Sequence, residues 1–154
     1  MELNPYDVSS LVGVAFGEAV GGNPRLGLEY LDHVARINPR DPWTFMADNV
    51  RAISHFLAKD YRSSIACAVA SNSAAPRLPQ PELFIALSSV GLGDLAAASE
   101  ALERARRLAT SYVQARIDDA VSFRFRSKAD LDRARVFLRI AAGLEPLSAA
   151  EAFR

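Results

Sequence analysis

Ala52-Ile53-Ser54-His55-Phe56-Leu57-Ala58-Lys59-Asp60-Tyr61-Arg62-Ser63-Ser64 is the stretch that decides the fold. Two helix-forming runs meet there at a two-residue turn, Lys59-Asp60. Helices joined by so short a turn lie antiparallel. Small residues on either side, Ala52 and Ser64, let the two backbones approach closely. The arrangement recurs upstream, with Ala15 and Gly27 around Gly22-Asn23, and downstream, with Ala86 and Ala98 around Gly93-Asp94. Lys59 lies 37 residues after Gly22, and Gly93 lies 34 after Lys59. The helix-ending prolines Pro5, Pro39 and Pro76 are spaced by 34 and then 37. A third position, late in each second helix, holds Val34, Ser71 and Ala105. Larger neighbours (Leu11, Val14, Leu31, Ile85, Leu102) would fill the space between successive hairpins.

Outward from these turns the chain reads as all-α. Alanine and leucine dominate, and the β-branched residues are not massed into alternating runs. Helices are expected over residues 8–20, 24–37, 44–58, 61–72, 82–92, 95–109, 111–121 and 128–143. Asn23 and Ser127 are candidate N-caps, and Gly143 is a C-terminal stop. Residues 75–81, with three prolines, read as a rigid connector. The tail 144–154 is either frayed or a short helix.

A helix–turn–helix unit repeating every ~34 residues resembles the tetratricopeptide repeat family. The resemblance covers three units, 8–41, 45–78 and 79–110, with capping helices over 111–143. It implies an α–α superhelix that recognises other proteins. The family's usual aromatic in the first helix is replaced by Leu11, Asp48 and Glu82, and Arg51 stands at an apolar position. Asp48 and Arg51 are spaced to pair on one helix. Alternatively, that helix is rotated, or Pro42-Trp43-Thr44 is inserted before it. The segments 55–61 and 123–131, with Ala141-Ala142-Gly143-Leu144, resemble the C-terminal repeats of bacterial signalling proteins with a nucleotide cyclase or winged-helix domain. Leu3-Asn4-Pro5-Tyr6-Asp7 resembles Ile37-Asn38-Pro39-Arg40-Asp41, the end of a complete unit. A fragment of a longer regulatory protein is therefore expected.

Composition narrows the function. The 154 residues carry 18 basic and 18 acidic side chains, a formal net charge of zero. That speaks against nucleic acid as a partner and leaves self-association open. Cys67 is the single cysteine, so no internal disulfide is possible. No apolar run approaches the ~20 residues needed to cross a bilayer, and the N-terminus lacks a signal-peptide pattern. A cytoplasmic, non-membrane protein is expected.

No catalytic motif stands out, and no cofactor or metal is implied. His33 and His55 lie on different units and read as structural, and Cys67 reads as a small buried hydrophobe. Asp118-Asp119 and Asp130/Asp132 read as helix-surface charge rather than metal ligands. Arg104, Arg106, Arg107, Arg124 and Arg126, interleaved with acidic residues, read as a salt-bridged face.

The concave side of such a superhelix is lined by the first helix of each unit. It would present Val12, Phe16 and Val20 from the first unit, Met46, Asn49, Ile53 and Phe56 from the second, and Gln80, Leu83 and Leu87 from the third. Asn49 and Gln80 are its only polar members, so no clamp for a peptide's terminal carboxylate is expected there. An apolar groove needs an occupant: a partner's amphipathic helix, the chain's own C-terminal helices, or a second copy. Otherwise part of the lining is core. The leading expectation is a protein-binding regulatory scaffold. The rivals are a small-ligand sensor and, less favoured, an enzyme on a helical solenoid.

Overall fold

A computed structural model describes residues 7–154. The segment resembling a preceding unit's end lies outside them, save Asp7. Among the described residues the protein is all-helical, without strands. Its helices are α1 (Val8–Val20), α2 (Pro24–Ile37), α3 (Thr44–Leu57), α4 (Tyr61–Ala74), α5 (Pro79–Gly91), α6 (Leu95–Leu108), α7 (Thr110–Ile117) and α8 (Lys128–Ala141). A 3-10 helix, Leu147–Phe153, closes the chain. The first six pack as consecutive pairs, α1 with α2, α3 with α4 and α5 with α6, and each pair stacks on the next through both of its helices, α1 and α2 on α3, and α3 and α4 on α5.

The three turns share one geometry. Gly22, Lys59 and Gly93 all take a left-handed backbone, with φ of 109°, 62° and 80°. In each, the next amide reaches back to close the preceding helix: Asn23 to Glu18 O, Asp60 to His55 O, and Asp94 to Ser89 O. This is the glycine-type helix stop. Asp60 and Asp94 then accept from the amides of Ser63 and Ala97, capping the next helix. Asn23 stands at the expected N-cap position of α2 but makes no side-chain capping bond; its amide group donates to Glu18 at 3.0 Å. Pro24 at the first turn leaves fewer amides there to satisfy.

The expected crossing positions meet. Ala15, Ala52, Ala86, Gly27, Ser64 and Ala98 are all buried. A Cβ on Gly27 would stand 2.7 Å from Ala15 O. One unit on, the Ser64 hydroxyl donates to the equivalent carbonyl, Ala52 O, at 2.7 Å. The second unit is therefore in register with the first. Arg51 does not pair with Asp48; it crosses to α2, donating to Asp32 and Leu31 O, each at 2.7 Å.

Boundaries differ where prolines and turns compete. α5 begins at Pro79 rather than residue 82, because prolines fit a helix's first turn, whose amides lack helical partners. α7 stops at Ile117 rather than residue 121, since Asp119 turns left-handed at φ 60°. The tail is not frayed: Ala150 is buried, and the Phe153 ring meets Phe137 edge-on at 6.1 Å.

Two glycines test this packing. In helix interiors glycine-to-alanine usually stabilises by about 0.5–1 kcal/mol. Gly13 has open space around a new Cβ, so Gly13→Ala should follow that rule in urea unfolding. Gly27→Ala should instead destabilise, by roughly 1–3 kcal/mol, because backbone must move. Equal gains at both sites would refute the close crossing.

Candidate functional site

The concave side, lined by α1, α3 and α5, is divided in two. After α7 the chain turns back at Asp118-Asp119 and lays residues 123–126 across the groove before entering α8. The Arg126 amide donates to Val20 O at 2.8 Å, tying this segment to the end of α1. Phe123 and Phe125 stack at 5.4 Å. Phe123 meets Phe84 at 6.3 Å, and Phe125 meets Phe56 at 6.5 Å. Phe137 of α8 adds a further edge contact to Phe56 at 6.2 Å.

Arg133 locks this closure. Only 1% exposed, its guanidinium lies 4.7 Å over the Phe56 ring. It donates to Tyr61 Oη (3.1 Å), Leu57 O (3.2 Å) and Asp130 (3.0 Å). A buried cation is tolerable only with such partners.

This half of the groove is core. Phe56, Leu83 and Leu87 are each 0% exposed, so these three candidate residues offer a partner no surface. Phe125 and Phe137 stand against Phe56, Phe123 against Phe84, and α8 packs on α5. The other half is open. Phe16, Met46 and Gln80, each part-exposed, line a cleft of about 300 Å³. Val12, Asn49 and Ile53 border it too but are themselves buried, so these three candidates offer a partner little surface. Val20 lines the adjoining pocket instead, together with Phe16, Ile53 and Gln80.

Ser9, Gly13 and Trp43 of the cleft lie outside the expected lining. Trp43, 53% exposed, stands at the rim with its ring stacked on Phe45 at 5.9 Å. Six residues, 38–43, join α2 to α3, against four, 75–78, between α4 and α5. The longer connection carries the indole to the cleft. Gly13 leaves the α1 wall without a side chain. Asn49 is buried; its side-chain nitrogen donates to Gln80 at 2.7 Å, while its Oδ1 has no protein partner. Turning both amides would only exchange which Asn49 atom is left over.

The titratable groups are dispersed. His33 is exposed. His55 is half-buried, 3.5 Å from the Asp60 carboxylate. Burial holds its imidazole below the ordinary value, against the opposing pull of Asp60. Cys67 is half-buried rather than fully enclosed, and desolvation pushes its thiol up. The carboxylates weighed as metal ligands have side-chain partners: Asp119 with Arg135, Asp130 with Arg133, Asp132 with Lys128, and Asp118 with Gln114. Arg104 pairs with Glu82, and Arg106 and Arg107 with Glu103. Arg124 and Arg126 belong to no such face; they sit on the segment that crosses the groove.

His55 gives a pH signature. The unfolded chain takes up a proton near pH 6.5, and the folded chain does so only at lower pH. Its contribution is fully present above that value and is lost as pH falls through it, until the folded imidazole also titrates. Urea midpoints of the parent protein should therefore fall more between pH 7.5 and 5.5 than those of His55→Gln. Parallel profiles would show that burial of His55 does not govern its charge. Compared with protein-family models and with curated proteins, the chain matches none.

Proposed function

We propose that this protein is a tetratricopeptide-type interaction module, without catalytic activity, that holds an apolar segment of a partner protein in the open half of its concave groove. One observation carries this reading. An apolar cleft remains beside Trp43, Phe16 and Met46, while the chain's own phenylalanines close the other half. An exposed aromatic at the rim of an apolar cleft is the kind of anchor that protein interfaces use. The cleft is open along one side, which suits a chain segment better than an enclosed small ligand.

The setting follows from sequence likeness. Segments 55–61 and 123–131, which resemble the repeats of bacterial signalling regulators, are the ones that meet around Phe56 and Phe125. We therefore place the module in the bacterial cytoplasm, as the regulatory or scaffolding part of a larger signalling protein. No helix among the described residues is long and apolar enough to cross a membrane.

Displayed peptide libraries test this reading. Binders should carry apolar residues at helical spacing, i, i+3, i+4 and i+7. Gly13→Glu puts a charge at the cleft wall, where a new Cβ meets nothing within 4 Å. It should weaken the selected peptides at least tenfold while leaving the urea midpoint at or above that of the parent. Peptides that bind both proteins equally would place recognition elsewhere.

A further inference from the structure

The pocket adjoining the cleft holds a half-buried cation without a counter-ion. Among the described residues, six arginines are not fully exposed: Arg51, Arg106, Arg116, Arg133, Arg135 and Arg139. Five of them meet a carboxylate within 4.0 Å. Arg116 meets none. Its guanidinium lies 3.8 Å over the Tyr112 ring, with Phe123 at 5.8 Å. One nitrogen donates to Tyr112 O at 3.2 Å, an ordinary interaction for a cation near a helix C-terminus. The Arg116 Nε is buried and has no partner among the described residues, as is also true of Arg133 Nε.

Arg124, exposed and without an ion pair among the described residues, borders the same pocket of about 270 Å³. Among the described residues no aspartate or glutamate lines it. Two guanidinium groups against aromatic walls, one of them fixed by stacking, make a receptor for a carboxylate. This pocket and the apolar cleft share Phe16, Ile53 and Gln80 as walls. An occupant of the cleft can thus reach it.

Resting on the interaction reading above, we propose that the partner segment carries an aspartate or glutamate side chain beside its apolar residues, and that Arg116 and Arg124 receive its carboxylate. The cations come from α7 and the crossing segment, not from the first helices of the repeats. Arg124 in its lining is exposed, so the segment need not end there. A side-chain carboxylate, rather than a chain terminus, is the chemistry that fits.

The test uses the whole chain and three peptide probes: acetyl-Leu-Leu-Glu-Phe-Leu-amide, its glutamine analogue, and that analogue with a free C-terminal carboxylate. NMR titration follows the Trp43 indole N–H and the Arg116 Nε–H. The glutamate peptide should shift both signals and bind at least tenfold more tightly than the capped glutamine peptide. Arg116→Gln and, separately, the surface change Arg124→Gln should each cut that advantage below threefold and leave the glutamine peptide's affinity unchanged. Equal binding of the two capped peptides, with Trp43 shifting, would sink the carboxylate site and leave the cleft reading intact. If no peptide moves Trp43, the cleft reading itself fails. Tightest binding by the free-carboxylate peptide would assign the pocket to a chain end and overturn the proposal. So would acetate matching the glutamate peptide, or signals of the protein alone that change on dilution and reveal a second copy in the groove.

Discussion

Two helices in each hairpin cross so closely that one backbone lies against the other. At Gly27 there is no room for a Cβ beside Ala15 O. At Ser64 the side chain fits because its hydroxyl bonds Ala52 O instead of abutting it. The left-handed stops at Gly22, Lys59 and Gly93 turn the chain back within each pair of helices. Repeating that crossing sets α1, α3 and α5 side by side. A concave surface follows from the stacking, and so does the question of what covers it.

Here the chain answers half of that question itself. Apolar surface in a groove is costly to leave in water. The segment after α7 supplies Phe123 and Phe125, and α8 supplies Phe137. Arg133 then ties α8 to the end of α3 and the start of α4 through hydrogen bonds and the Phe56 ring. Closure stops short of the α1–α3 end. The exposed surface there belongs to Phe16, Met46 and Trp43 rather than to Phe56, Leu83 and Leu87.

The parts legible in the sequence are those set by local rules. Turn chemistry at Lys59-Asp60 and Gly93-Asp94, and the small residues around them, depend on a few neighbours and a fixed spacing. The division of the groove depends on contacts between residues some seventy apart, such as Phe56 with Phe125. No periodicity announces them. Arg133 carries no sign of burial in a helix rich in charge, and apart from Asp130 its partners, Tyr61 and Leu57 O, come from another hairpin. Trp43 sits in a connection rather than on a helix face, so helical periodicity does not mark it as part of the lining. Prolines 79 and 81 misled in the opposite direction: they read as a break and serve as a helix's first turn.

A half-closed groove is the claim on which the functional account stands. A soluble paramagnetic relaxation agent measures it directly by broadening side-chain NMR signals that solvent can approach. The Met46 methyl and the Phe16 ring should broaden strongly, while the Leu83 and Leu87 methyls and the Phe56 ring stay sharp. Comparable broadening at Leu87 and Met46 would mean that residues 123–126 do not cover the groove, and would contradict the account.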